Sequence, residues 1–351
     1  MAHAGPMAFS KILIRATNWV GDAVMSLPAI RALHGSFPQA EIAVLARPWV
    51  ADLYARETAV HRIIPYDVPA GFAGLGEKLR AARALRPEKF DCAILLQNAF
   101  EAAAIAYLAG IPRRIGYNRD GRGALLTDAI PVPRPGEIPR HERFYYLEML
   151  RRAGLIGEAL ESNDIRLEGS EDAARNGATR FAQRDIAPPV IGLSPGAAYG
   201  TAKRWLPERF ADAALEIARS RGGSAALFGS AGEQGLCETV AQAIRAGGVA
   251  ACNLAGQTTL SEFIELAAAC SIFLTNDSGA MHIASALGVP TVAVFGATDD
   301  STTGPTGMRA RVVREPVECS PCLLRECPID HRCMTRVAAG RVADVALELL
   351  R

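Results

Sequence analysis

Ile272-Phe-Leu-Thr-Asn-Asp-Ser-Gly-Ala-Met-His282 is the stretch that decides the fold. Ile272 to Leu274 is a short apolar run of the kind that forms a buried strand. Asn276, Asp277, Ser278 and Gly279 then supply turn and helix-start chemistry. From Ala280 the apolar spacing becomes helical through Met281, Ile283, Ala284 and Leu287, and Gly288 closes it. A strand, a tight turn and a helix in this order leave the helix N-terminus facing the strand's carboxyl end. Unpaired N–H groups there carry partial positive charge and suit a phosphate. In an open α/β sheet, ligands sit at this edge. Asp277 or Ser278 serves equally well as a plain helix cap, so the function rests on what the remaining chain adds.

Working outward, the same alternation recurs. Strand-like segments at 11–16, 41–46, 60–64 and 91–96 alternate with helical spacing at 22–33, 78–85 and 101–108. The stretch 113–143 reads as loop-rich and basic, with arginines at 113, 114, 119, 122, 134, 140 and 143, and a helix at 143–153 ends it. Residues 157–188 are polar and read as a connection plus one amphipathic helix. Strands at 189–194, 224–228 and 291–295 and helices at 207–220, 232–244 and 260–269 follow. Such alternation predicts βαβ units and mostly parallel sheets. With 351 residues, two domains are favoured. The expected division is 1–165, 166–335 and a C-terminal helix over 336–351, with two doubly wound α/β domains facing a central cleft.

Composition narrows the function. The chain is 50% apolar and 21% charged with a net charge of +1, which gives no global electrostatic case for nucleic acid or a membrane. Any basic site is local. The first nine residues lack a basic segment followed by an apolar core, so no secretory signal is expected. No run approaches the roughly 18 apolar residues of a membrane span. The expected compartment is the cytoplasm.

Two further stretches carry chemistry. Thr17-Asn-Trp-Val-Gly-Asp22 follows the first strand, and Asp22 sits where the first helix begins. It lacks the G-x-G-x-x-G of a dinucleotide site. A carboxylate there can act as a general base toward a hydroxyl, or simply cap the helix. Ser194-Pro-Gly-Ala-Ala-Tyr-Gly-Thr-Ala-Lys-Arg-Trp-Leu-Pro207 again lies between strand and helix. It is not a P-loop, because Thr201 and Ala202 separate Gly200 from Lys203. Gly196 and Gly200 permit close backbone approach, and Lys203 can set a point charge on a diphosphate. A solvated surface loop is the other reading.

Near the end, Cys319, Cys322, Cys327 and Cys333 give C-x2-C-x4-C-x5-C. Four thiolates so spaced could close a structural Zn²⁺ or an Fe–S cluster. Unliganded thiols and a redox disulfide are the other readings.

Together, Asn18-Trp-Val-Gly-Asp22, Pro195-Gly-Ala with Ala202-Lys-Arg-Trp205, and Asn276-Asp-Ser-Gly-Ala-Met-His282 resemble the ADP-heptose:lipopolysaccharide heptosyltransferases, glycosyltransferase family 9. Leu227-Phe-Gly-Ser230 and Asn253-Leu-Ala-Gly256 add to the likeness, which covers about residues 10 to 315. The resemblance implies the GT-B architecture, with acceptor on the N-terminal domain and ADP-sugar on the C-terminal one. It implies inverting, metal-independent heptose transfer to the lipopolysaccharide inner core. Asp22 would be the base, and Lys203 would neutralise the ADP phosphates. Asp277, Ser278 and Gly279 would contact the diphosphate and heptose, His282 would help close the donor site, and Glu233 and Thr258 would line the adenosine pocket. Arg113, Arg114 and Arg140 are candidate contacts to acceptor anions, and passing contact with the membrane surface is possible. The final helix would pack back on the first domain, as is frequent in this architecture. The form of Asn18 to Asp22 favours the second heptose addition. The alternatives are the first addition, another nucleotide-sugar transferase or epimerase preferring UDP, and a non-catalytic nucleotide binder whose cysteines sense metal or redox state.

Overall fold

The computed structural model describes residues 9–69, 74–157 and 165–351. The first eight residues and 158–164, the start of the expected connection, lie outside the described residues. The chain divides into two compact units, Met1–Ser162 and Asn163–Arg351.

In the first unit the strands are β1 (Lys11–Arg15), β2 (Glu41–Ala46), β3 (Arg62–Pro65), β4 (Cys92–Leu95), β5 (Arg113–Tyr117) and β6 (Asp128–Ile130). They pair in parallel in the order β3-β2-β1-β4-β5-β6. Helices α1 (Val20–Ser36), α2 (Pro48–Tyr54), α3 (Leu75–Leu85), α4 (Phe100–Leu108) and α5 (Arg143–Arg152) flank the sheet.

The second unit repeats the plan with β7 (Val190–Ser194), β8 (Ser224–Leu227), β9 (Ala251–Asn253), β10 (Ile272–Asn276), β11 (Thr291–Phe295) and β12 (Ala310–Arg314). These are parallel in the order β12-β11-β10-β7-β8-β9. Its helices are α6 (Ser170–Ala182), α7 (Pro207–Arg221), α8 (Gln234–Ala246), α9 (Leu260–Ala268), α10 (Gly279–Ala286), α11 (Asp300–Thr303), α12 (Arg332–Thr335) and α13 (Ala339–Leu349). In both units the chain builds outward from its first strand, then returns to the other side of it. Each sheet therefore has one switch point, between β1 and β4 and between β7 and β10.

The central strands β4, β7, β8, β10 and β11 are buried along their whole length. Helices on both faces require this, and continuous apolar runs answer it. Each unit has its own core. Leu13, Leu45, Tyr66, Phe90 and Leu95 anchor the first. Trp205, Phe210, Leu274, Val292 and Met334 anchor the second.

The stretch 113–143, expected as loop-rich, contains β5 and β6. Both are short and polar because they approach the sheet's edge, so they lack an apolar run. The expected C-terminal helix forms as α13, within the second unit. Val342, Ala343 and Ala346 of α13 join the core of the second, where α13 packs on α7.

The tightest helix contact is between α6 and α9, where a Cβ on Gly177 would stand 1.9 Å from the Glu265 carbonyl oxygen. Gly177→Ala should therefore destabilise the protein by about 1–3 kcal/mol. Gly235→Ala, in α8 with open space around it, should stabilise by about 0.5–1 kcal/mol. Urea-unfolding midpoints that move the same way for both variants would contradict this packing.

Candidate active site

The switch point of the second sheet lies where β7 and β10 part, and two loops meet there. Lys203, at the end of the short turn Thr201–Lys203, reaches Asp277 with its Nζ 2.5 Å from Oδ2. Thr298, beyond β11, donates to the same oxygen at 2.6 Å. The Lys203 ammonium also lies 4.9 Å from the Tyr199 ring centroid. Asn276, one residue earlier, is fully buried. Its Nδ2 donates to the Pro195 carbonyl at 2.7 Å, and its Oδ1 accepts from the Trp205 N–H at 2.9 Å. Asn276 thus ties down both ends of the loop that carries Lys203. Neither Asn276 nor Thr298 was singled out from the sequence. Asn276 stood within a motif, but which atoms it would hold depends on β7 and β10 being neighbours.

This geometry changes the role of Asp277. Its carboxylate is engaged by Lys203 and Thr298, and a buried carboxylate would repel a diphosphate. Asp277 holds the lysine in place. Ser278 and Gly279 begin α10 and are partly accessible. Ser278 Oγ lies 3.1 Å from Thr275 Oγ1, so the Ser278 hydroxyl is steadied while the first N–H groups of the helix remain available. His282, one turn on, is buried.

Glu233 stands at the carboxyl end of β8, where its Oε2 accepts from the Ser230 N–H and hydroxyl, both at 2.8 Å. Its other oxygen lies where a Cβ on Gly196 would be, 2.0 Å away, and 4.0 Å from the Arg204 guanidinium. The β7 loop thus passes directly over this carboxylate at Gly196. Thr258 follows β9 on the same edge and is half-buried. Thr298, Asp277, Lys203, Glu233 and Thr258 thus line the carboxyl ends of the five adjacent strands β11, β10, β7, β8 and β9.

In the first unit, Asp22 lies in the first turn of α1, beside the β1/β4 switch point, and is half-buried. Its loop is braced by α2. The Trp49 Nε1–H donates to the Asn18 carbonyl at 2.8 Å. The Tyr54 hydroxyl lies 3.5 Å from Thr17 Oγ1 and 3.3 Å from Ser26 Oγ. Burial pushes the Tyr54 phenol up, so it stays neutral. Glu142, just before α5, carries a carboxyl raised above the usual range, first by burial and then by the charge of Asp22, with Arg119 opposing. Glu142 was not visible as a neighbour of Asp22 in the sequence, since 120 positions separate them.

The expected acceptor arginines are placed differently. Arg113 begins β5, at the end of the sheet opposite Asp22, and pairs with Asp128 at 2.9 Å. Arg114 beside it donates to the Leu125 and Ile111 carbonyls at 2.7 and 2.5 Å. Both hold the fold at the amino-terminal edge. Arg140 is exposed on the loop before α5.

Cys319, Cys322, Cys327 and Cys333 lie in the second unit. All four thiols are free, Cys319 exposed and Cys333 buried. Among the described residues no group of three or more His, Cys, Asp or Glu side chains is placed to hold a metal, so the expected metal centre finds no support. Burial first, and then the charges of Cys319, Cys322 and Cys327, push the Cys333 thiol up to about 11. The segment lies against the lysine loop. The Ala202 N–H donates to the Arg325 carbonyl at 2.9 Å, Tyr199 Oη to the Leu323 carbonyl at 3.0 Å, and His331 Nε2 to the Ala202 carbonyl at 2.9 Å. Its observable work is to back the loop that carries Lys203.

Known proteins resemble this chain in sequence and fold. The model of glycosyltransferase family 9 (heptosyltransferase) matches residues 78–332. Lipopolysaccharide heptosyltransferase 2 of Escherichia coli (strain K12) is 34% identical over 310 residues, covering 87% of this chain and 88% of its own. The structure of E. coli ADP-heptose lps heptosyltransferase II superposes with a TM-score of 0.81 at 30% identity, covering 97% of this chain and 98% of that one. A glycosyl transferase family 9 structure from Veillonella parvula DSM 2008 shares the fold, with a TM-score of 0.84 at 20% identity and 99% coverage of both chains. The architecture is GT-B, with two doubly wound α/β domains.

The raised Glu142 carboxyl has a pH consequence. The folded state keeps this proton to higher pH than the unfolded chain, whose glutamate loses it near about pH 4.3. Its contribution to stability is therefore present at low pH and declines as pH rises from there through the raised value. Glu142→Gln keeps the neutral shape and should flatten that decline in urea unfolding followed across the acidic range. Parallel stability profiles for wild type and variant would remove Glu142 from the account.

Proposed function

Because the chain belongs to glycosyltransferase family 9, we propose that it is a heptosyltransferase II. It would transfer heptose from ADP-L-glycero-D-manno-heptose to the heptosyl-Kdo inner core of lipopolysaccharide, with inversion and without a metal. The observation that carries this is the Lys203–Asp277 pair at the switch point of the second sheet. A buried carboxylate there fixes one ammonium where a diphosphate would lie against the start of α10.

The acceptor hydroxyl attacks the anomeric carbon as Asp22 takes its proton. The bond from that carbon to the β-phosphate oxygen breaks, and ADP leaves with the electron pair. Lys203 and the N–H groups at Ser278 and Gly279 compensate the charge that develops on the leaving phosphate. They are in place beforehand, so little reorganisation is needed at the moment of transfer. Glu233 and Thr258 are suited to the nucleoside end, two and three strands from Asp277 on the same edge. Among the described residues no helix is long and apolar enough to cross a membrane. We place the reaction on the cytoplasmic side, with the acceptor presented from the inner membrane surface. The eight free cysteines agree with that compartment.

Asp22→Asn should lower kcat about 10²–10⁴-fold while leaving ADP affinity unchanged. Lys203→Ala should weaken ADP binding about 10- to 100-fold in calorimetric titration with EDTA present. Near-normal turnover in the first variant, or unchanged ADP affinity in the second, would remove that residue from its role. A wild-type preference for UDP would redirect the assignment to other nucleotide-sugar enzymes.

A further inference from the structure

Arg113 and Arg114 leave open where an acidic acceptor would find its positive charge. The first unit offers another answer. Arg15, the last residue of β1, is 1% exposed, and Arg47, directly after β2, is 6% exposed. Their guanidinium carbons lie 4.6 and 4.7 Å from the centroid of one ring, that of Tyr66, which follows β3. Three neighbouring strands thus deliver two cations and an aromatic to one point on the sheet's carboxyl edge.

The charges at this point do not balance. Among the described residues Arg15 donates to neutral oxygens, the Ala16 carbonyl at 2.7 Å, Asn18 Oδ1 at 3.2 Å and the Leu45 carbonyl at 3.4 Å. Arg47 donates to the Val68 carbonyl, and its ion-pair partner, Glu101, stands 3.9 Å away. Glu101 is occupied elsewhere, accepting from the Tyr66 hydroxyl at 2.6 Å and pairing with Lys78 at 2.7 Å. Among the described residues the Nε atoms of Arg15 and Arg47 have no hydrogen-bond partner, and both are buried. Burial also pulls the Arg15 guanidinium down to about 10, with Arg47 acting in the same direction. It stays charged at neutral pH, so the cost of holding two poorly compensated cations persists.

The position is informative. Asn18, bonded to Arg15, belongs to the loop that ends in Asp22. Trp49 covers Arg47 with its ring 5.5 Å from the guanidinium carbon, is 52% exposed, and holds the Asn18 carbonyl. We propose that the Arg15–Tyr66–Arg47 stack is the subsite for an oxyanion, a carboxylate or a phosphate, carried by the acceptor. Arg47 makes the contact, Arg15 supplies field and holds the loop, and Trp49 gives the sugar next to the anion an aromatic face. The inference rests on the heptosyl-transfer reading for the identity of the acceptor, but the anion site is defined by the first unit alone.

Thermal unfolding of the full chain in increasing inorganic phosphate and, separately, sodium glucuronate tests it. At least one anion should raise the midpoint saturably, and which one does so separates phosphate from carboxylate recognition. The rise should persist in Lys203→Ala, which lacks the donor-side cation, and vanish in Arg47→Gln. In transfer assays Arg47→Gln should raise the acceptor KM about 10- to 100-fold at unchanged donor KM, with Arg47→Lys restoring part of the loss. If Arg47→Gln does not fold, wild-type kinetics decide, since the effective anion should compete with acceptor and not with ADP-heptose. A rise that survives in Arg47→Gln, no saturable rise with either anion, or competition with the donor alone would overturn the proposal. Wild-type protein that transfers no heptose would defeat the assigned reaction instead, and the titrations would then decide the anion site by themselves.

Discussion

The ion pair between Lys203 and Asp277 is the constraint on which the ligand edge of the second unit depends. The two residues are 74 positions apart and meet only because β7 and β10 are neighbours. A free lysine is a mobile point charge with about 2 kcal/mol of rotamer entropy to lose. Held by a carboxylate that Thr298 also fixes, it becomes a placed charge. Such a pair is weak evidence for stability, because desolvation offsets much of the attraction. Its consequence is positional. Asn276 completes the arrangement by bonding the backbone at Pro195 and Trp205, so consecutive residues hold the loop and its cation.

The first unit reaches its loop by another route. Helix α2, seven residues long, presents Trp49 to Asn18 and Tyr54 to Thr17 and Ser26, and Arg15 donates to Asn18 Oδ1 from β1. The bonds from α2 are neutral, and the two buried guanidinium groups of this edge, Arg15 and Arg47, lie over the Tyr66 ring.

How much of this was legible in the sequence follows from where each residue sits. The central strands were readable because burial on both faces demands continuous apolar runs, as in Ile272 to Leu274 and Thr291 to Phe295. The short strands β5, β6 and β9 were not, because they lie toward the sheet edges, half-covered, and carry residues such as Arg113, Asp128 and Asn253. Lys203 and Asp277 were each visible as site residues, since each follows a strand. That they bond to each other was invisible, because the order of strands in a sheet is not written in any local spacing. The same applies to Glu142 beside Asp22. The placement of Arg113 and Arg114 was hidden for a related reason. Local sequence shows that arginines cluster, but only the register, with Cys92 opposite Arg113, shows that they stand at the amino ends of the strands.

The cysteines make the complementary point. Their spacing is compact and resembles a metal site, yet the described structure uses the segment as a backing, through the backbone of Leu323 and Arg325 and the ring of His331. Backbone contacts leave no signature in residue type, so a motif search sees the thiols and misses the work. Placement by neutral backbone contacts recurs around the lysine loop. Asn276 holds it from the β10 side and Leu323, Arg325 and His331 from another, while a single carboxylate holds its charge. A loop secured in this way can keep one ammonium fixed as a polyanionic ligand arrives and departs, because the contacts that position its backbone do not compete with the ligand for the same charge.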